Sequence, residues 1–340
     1  MPHESFLSYG HTQRQDIANG KHLAVIGIGI RHGLCRSLRE HSSLLAKKLV
    51  ETFFPRLTRS CDSKHYRSAI AKAKEYSPDI ILGINFGFDQ WAMAELNPSI
   101  KKITWFIDSI VGINCDATLR HATNFTYDRA SAAYLLAHGV NANYCPVGYN
   151  DAYTYSYAPH EKTLDVVFVG APYKRRLVIL EIVAKAAQEN NWRFKVYGPF
   201  FRPFHFWKEW QSRHRYPHLF SYMVNGSLSP QEIATIYAQT QICLNIHDEK
   251  NKGVNPRTFE IMATGSIELL DAREDYDIIH PGEDVVVFHD DTEAVEKIAY
   301  YLAHAEEREK IAQRGKERIW ERRSMKACLR QVLGLAQEER

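Results

Sequence analysis

Twice along this chain a short apolar run ends in glycine and gives way to a helical pattern. The first run is residues 22–29 and the second is residues 164–170. A parallel strand covered on both faces reads this way, because it lacks polar alternation and must turn tightly into a crossover helix. Each run is followed by more of the same. In the first half, strand-like segments at 78–85, 102–108, around Phe125 and at 142–146 alternate with helical stretches. Those helices fall at about 34–54, halted by Pro55, at 66–76, and up to Ala137, where Gly139 supplies a stop. In the second half, strands at 192–198, 241–246, 266–270 and 285–288 alternate with helices opening near Arg176, Ser229 and Asn255. Ser229 and Glu232 have the spacing of a capping box. Two charged helices, about 292–305 and 306–338, close the chain. Alternation of this kind predicts α/β architecture, with two Rossmann-like domains facing across a cleft and a helical tail.

The length supports that division, since 340 residues exceed one comfortable core. Residues 149–163 are polar and rich in tyrosine, with Pro159, and read as the linker. This gives an N-terminal domain over 1–155, opened by an arm at 1–20, and a C-terminal domain over 156–318. A last helix at 319–340 is expected to pack back on the first domain. Apolar residues make up 45% and charged residues 24%, which excludes a largely disordered chain. A net charge of +3 does not mark a nucleic-acid binder. The six cysteines are scattered, with no C-x-x-C pair and no zinc spacing, so reduced thiols and no metal site are expected. The first 20 residues lack the apolar region of a signal peptide, and no apolar run approaches the roughly 20 residues of a membrane helix. A cytoplasmic protein without an integral membrane segment is the expectation.

The segment Lys252-Gly-Val-Asn-Pro-Arg-Thr-Phe-Glu-Ile-Met-Ala-Thr-Gly-Ser-Ile-Glu carries the most chemistry. Gly253 and Pro256 mark a loop turning into a helix, and a helix start offers free N–H groups and a positive dipole end to phosphate. Arg257 in the first turn and Lys252 just before it could both reach a diphosphate. Glu260 and Glu268, seven residues between them, could each accept hydrogen bonds from sugar hydroxyls. A second phosphate loop is predicted at Gly170, with Tyr173, Lys174 and Arg175 at the following helix start. His247 and Asp248 end a strand beside the Lys252 loop, where they could contact a sugar or cap the turn.

These residues closely resemble the C-terminal signature of the CgeB-like, spore-maturation-type glycosyltransferases, a GT-B family. The resemblance covers most of residues 164–290, including 164–170, 194–198, 236–247 and the Pro281-Gly-Glu pattern. It is looser in the first half, where Trp105-Phe-Ile-Asp108 is similar to a strand-end Asp motif. It implies a metal-independent enzyme with a nucleoside-diphosphate sugar as co-substrate and no bound cofactor. Asn255, Arg257, Thr258, Phe259 and Glu260 then surround the donor. The Glu260/Glu268 pair is similar to a motif of retaining GT-B enzymes, in which the first Glu faces the sugar and the second the ribose. The sequence departs from the family at Glu321-Arg-Arg-Ser-Met, where a His-Thr pair is common.

On the acceptor side, the loop with Gly29, Arg31 and His32 resembles a dinucleotide loop but misses its spacing by one residue, which weighs against an oxidoreductase or epimerase. His32 or Asp108 could act as base toward an acceptor hydroxyl. The acceptor stays open among protein, glycan, lipid-linked and DNA, and neither base, sugar nor oligomeric state is legible. A nucleotide- or nucleic-acid-binding module that kept the fold is the second alternative. Asp275-Tyr-Asp277 formally reads D-x-D but reads better as a loop. Residues 197–222 are dense in aromatics and cations, a pattern that could stack single-stranded bases, line a sugar-acceptor groove or rest at a membrane interface, but that is expected mainly to fill a core.

Overall fold

The computed structural model describes residues 13–17, 21–27, 67–68, 70–75, 77–85, 88, 90–107, 109–110, 117–154, 161–200, 206–248 and 252–335. The chain divides into two compact units, Met1–Cys145 and Pro146–Arg340.

The first unit holds a six-stranded sheet in sequential order, β1 (Gln13–Ile17), β2 (Lys21–Gly27), β3 (Ile80–Ile84), β4 (Lys101–Phe106), β5 (Thr123–Thr126) and β6 (Ala142–Tyr144). All neighbours are parallel except β1, which runs antiparallel to β2 with Gln13 opposite Val25. The residues read as an arm therefore include an edge strand. Its polar run QRQDI hides it, because an edge strand need not be apolar on both faces. The central strands are buried through Ile81, Leu82, Ile103 and Trp105. Trp105 donates its indole N–H to the Cys145 carbonyl at 3.0 Å. Helices α1 (Gln90–Glu95) and α2 (Arg129–Ala137) lie between strands. Asp128 caps α2 by accepting from the Ser131 amide at 2.7 Å, and Gly139 ends it at φ 71.

The second unit contains β7 (Leu164–Val169), β8 (Phe194–Gly198), β9 (Met223–Asn225), β10 (Thr240–Asn245), β11 (Ile267–Asp271) and β12 (Val286–Phe288), all parallel. Their spatial order is β12-β11-β10-β7-β8-β9. Winding thus runs outward one way from β7 to β9, returns to the middle at β10, and runs outward the other way. That is the doubly wound Rossmann order, and the reversal between β7 and β10 opens a crevice at their carboxyl ends. Alternation along β7 sends Val166 and Phe168 into one core and Val167 and Val169 into the other, so both faces are covered. The helices are α3 (Lys174–Glu189), α4 (Phe206–Arg215), α5 (Pro217–Phe220), α6 (Pro230–Ala238), α7 (Pro256–Ala263), α8 (Asp291–Ala303), α9 (Ala305–Ile319) and α10 (Met325–Leu333). The capping box at Ser229 and Glu232 forms at the start of α6.

The charged tail is not one helix over 306–338. It breaks after Ile319, turns through Glu321 at φ 60, and restarts when Ser324 caps α10. No proline or glycine announces the break, which is fixed from a distance. The Tyr149 amide donates to the Arg323 carbonyl at 2.9 Å, and the Met325 amide donates to the Tyr149 carbonyl at 2.8 Å. Gly148 permits this approach, since a Cβ there would lie 2.3 Å from the Arg323 oxygen. Tyr149 and Tyr153, inside the stretch read as a linker, are buried in a core of the second unit.

Candidate functional site at the strand-order reversal

Two loops meet where the strand order reverses, one leaving β7 at Gly170 and one leaving β10 at Ile246. A buried cation joins them. Arg176 donates Nε to the Ile246 carbonyl at 2.6 Å and Nη1 to the Ala171 carbonyl at 3.2 Å. Its guanidinium lies 4.6 Å from the Tyr173 ring centre and 5.7 Å from that of Phe168. Burial first, and then the positive charge of Arg257, push Arg176 down to about 10. Two guanidiniums therefore crowd one corner, and that field favours an anion. Sequence alone selects Lys174 and Arg175 and passes over Arg176, the third cation of the run. The signal for it is its place one step further into the helix, where a side chain turns toward the sheet.

Arg257 lies in the first turn of α7, with its guanidinium 5.9 Å from the Phe168 ring centre. A Cβ placed on Gly170 would stand 3.2 Å from Arg257 Nη2, so the bare backbone of the β7 loop makes the room for it. Gly198 is tighter still, because a Cβ there would lie 2.1 Å from the Gly170 carbonyl oxygen. Gly198→Ala must push the Gly170 loop off the sheet, and a lowered melting temperature is the expected result. A variant as stable as the parent would show that the loop yields without cost.

Behind Arg257 a closed polar network fixes the start of α7. The Asn255 amide donates to His247 Nε2 at 3.0 Å. His247 Nδ1 then donates to Asp271 Oδ1 at 2.7 Å, an assignment forced by the acceptor role of its other nitrogen. Burial pushes His247 below its usual value, against the pull of Asp271. The other oxygen of Asp271 pairs with Arg175 and with Arg273 Nη2, the latter at 2.7 Å. Burial alone would raise Asp271, but the His247 hydrogen bond and charge, Arg273 and Arg175 hold it well below the carboxylate range. Asp271 is not singled out by the sequence patterns, although an acid closing an apolar strand is visible there.

Asn245 Nδ2 donates to Glu268 Oε1 at 2.7 Å and lies 3.0 Å from Asn255 Oδ1. Thr258 donates to the same Glu268 oxygen at 2.9 Å. Glu268 is 1% exposed, and its Oε2 has no hydrogen-bond partner among the described residues. The expected contact of Glu268 with a ribose thus meets an enclosed side chain, because β11 directs it inward. Burial pushes its carboxyl up to about 7, with Asn245 and Thr258 offsetting part of the rise. The folded chain therefore keeps a proton that the unfolded chain releases near 4.5. Stability from this group falls as pH climbs through that window, by roughly 3 kcal/mol. Glu268→Gln should remove this component while still accepting from Asn245. Urea unfolding of parent and variant across pH checks it, and parallel profiles would refute it.

Glu260, one turn beyond Arg257, is half-buried beside Tyr153. Burial raises its carboxyl, while Arg257 and Tyr153 act to lower it. Tyr153 escapes notice in the sequence because it sits in the presumed linker. Lys252 is exposed and paired with exposed Glu274. Tyr173, Lys174, Arg175, Val178, His247 and Asp248 border a depression of about 600 Å³. The D-x-D pair serves the fold: Asp277 binds Arg323 at 2.5 and 2.9 Å, and the Asp277 amide donates to Asp275. Gly29, Arg31, His32 and Asp108 lie outside the described residues.

Residues 175–334 match a family described as glycosyl transferase-like. A 170-residue segment is 25% identical to Spore protein CgeB of Bacillus subtilis, covering 45% of this chain and 48% of that protein. The chain thus spans about half the length of the curated relative it matches. Among solved structures, HepE of Anabaena in complex with UDP superposes with a TM-score of 0.59 at 12% identity, over 78% of this chain and 81% of that one. A glycosyltransferase from Rickettsia africae superposes with a TM-score of 0.62 at 12% identity, over 92% and 96%. Sucrose-phosphate synthase from Thermosynechococcus elongatus does so with 0.58 at 16% identity, over 85% and 78%. These likenesses, with two Rossmann-like sheets in one chain, give this protein the GT-B fold, and its second half is glycosyl transferase-like.

Proposed function

We propose that the chain transfers a sugar from a nucleoside-diphosphate sugar to an acceptor hydroxyl, and that the donor diphosphate lies between Gly170 and the start of α7. The observation that carries this reading is the pair of guanidiniums, Arg176 and Arg257, crowded beside a glycine loop and a helix amino end. Among the described residues, neither guanidinium forms an ion pair with a carboxylate, whereas Arg175, Arg273 and Arg323 each do. In the reaction, the bond from the anomeric carbon to the diphosphate breaks and charge collects on the departing oxygens. Arg257 and the positive dipole end of α7 stabilise that charge, the strongest electrostatic help such a corner can give. Glu260 orients hydroxyls of the donor. His247, Asp271 and Glu268 act from behind by fixing Asn255 and Thr258. The chemistry needs no metal in this reading, and the Glu260/Glu268 spacing is that of retaining enzymes, although here Glu268 is enclosed and only Glu260 is placed to meet the donor. Asp108 or His32 would assist the acceptor, which is a protein, glycan, lipid-linked or DNA hydroxyl.

UDP is the first nucleotide to test, because HepE is known in complex with UDP and with UDP-glucose. A thermal-shift panel of UDP-, GDP-, ADP- and CMP-sugars should show one base raising the melting temperature, and the shift should vanish in Arg257→Ala. No shift with any nucleotide would end the reading.

A further inference from the structure

Helix α4 carries its apolar stripe on the outside. Trp207 is 71% exposed and Trp210 is 50% exposed, and His214 continues the same face at helical spacing. About 200° round the helix, Glu209 and Ser212 are the half-buried positions and Tyr216 is buried. The polar side thus faces the body of the unit and the tryptophans face away. Trp207 and Trp210 thus depart from the expectation of a filled core, which Phe200, Tyr216 and Tyr222 of the same stretch meet. The helix lies between β8 and the edge strand β9, where Val224 is also exposed.

Charge sharpens the contrast. Arg213, His214 and Arg215 are exposed in the last turn, while the one acid of α4, Glu209, is on the half-buried side. Arg213 is held 4.4 Å from the Phe220 ring centre and Arg215 5.6 Å from that of Tyr216, so both guanidiniums are set in place at one end of the stripe. Exposed positive charge therefore flanks the indole stripe on both sides at its carboxyl end. Ring geometry discriminates between partners. Trp207 stacks on Trp210 at 4.8 Å and 20°, and Trp210 packs on His214 at 4.2 Å. Trp210 is flanked along the row by Trp207 and His214, which leaves less of its ring face for a flat ligand. A nucleobase or a pyranose needs a free ring face on which to stack. A lipid headgroup region takes indole edges and N–H groups, with cations beside them.

We propose that α4 is a docking face for an anionic phospholipid surface, with Trp207 and Trp210 entering the headgroup layer and Arg213 and Arg215 meeting lipid phosphates. This stands independently of the donor reading. The test is sedimentation of the full chain with vesicles of phosphatidylcholine alone and of phosphatidylcholine mixed with phosphatidylglycerol. Binding to the mixed vesicles, weakened by salt and accompanied by a blue shift of tryptophan emission, is expected. W207S/W210S should weaken it roughly tenfold or more, and R213Q/R215Q should remove most of its dependence on phosphatidylglycerol. The replaced side chains are exposed, so unchanged melting temperatures should accompany the loss. The proposal is overturned by absence of vesicle binding, by equal binding to phosphatidylcholine alone, or by double variants that bind as the parent does. Quenching by a single-stranded oligonucleotide or a soluble glycan without vesicle binding also overturns it, in favour of that partner.

Discussion

Arg257→Ala is expected to lower turnover of the nucleotide-sugar by roughly 10²–10³-fold, the loss seen when one donor to a developing negative charge is removed. Arg257 combines first-turn position on α7, contact with the Gly170 loop, and a place beside Glu260. Arg257→Lys should recover only part of the rate, because an ammonium keeps the charge and loses the two-pronged geometry. Two neighbouring cations supply the contrast. Lys252 is exposed and already paired with Glu274, so Lys252→Ala should leave turnover within a few-fold of the parent. Arg175 is bound to Asp271, so Arg175→Ala should act mainly on stability. Steady-state kinetics on the three variants separates these roles. Equal losses in all three would mean that the diphosphate is held by diffuse charge and not by the α7 corner.

The largest effect on stability is expected for Asp271→Ala, roughly 3–5 kcal/mol, since one carboxylate there serves His247, Arg175 and Arg273 and is 1% exposed. Removing it strands buried donors, the situation in which a lost partner costs more than the pair contributed. The pH dependence has a definite sign. Asp271 is held below its unfolded value of 3.8, so its contribution is whole at neutral pH and is lost only as pH falls through the folded value. His247 adds to this in acid. Its pKa is lowered from 6.5, so stability falls as pH drops below 6.5, and its protonation removes the acceptor for the Asn255 amide. Nucleotide affinity should therefore fade on acidification before the chain unfolds. Chemical unfolding of parent and Asp271→Ala across pH reads the difference, and a gap that widens toward acid would contradict this account.

Much of the strand framework is legible in the sequence because buried parallel strands are written as apolar runs closed by glycine. The expected runs at 164–170, 241–246 and 266–270 correspond to β7, β10 and β11. Two edge strands are not legible, since β1 is short and polar and β9 is only three residues long, whereas the edges β6 and β12 fall within the expected runs at 142–146 and 285–288. The helix start at 256 is visible from Pro256 and its flanking residues, yet the division of labour behind it is not. Spacing gives Glu260 and Glu268 equal standing, whereas strand alternation turns Glu268 into the interior and leaves Glu260 half-buried. In the same way Lys174, Arg175 and Arg176 look alike in sequence. Only the packing of α3 against the sheet selects Arg176 as the cation that joins the two loops.

The backbone clip between Tyr149 and residues 323–325 ties the entrance of the second unit to its last turn before α10. Tyr149 is 2% exposed, and its ring stacks on Trp320 at 6.4 Å. A chain shortened ahead of Arg323 would remove both of these backbone bonds from Tyr149, within four residues of Cys145, where one unit gives way to the other. Damage at the carboxyl terminus is thereby delivered to the first residues of the second unit, and trimming the tail to make a tidier fragment would loosen the stretch on which that unit opens.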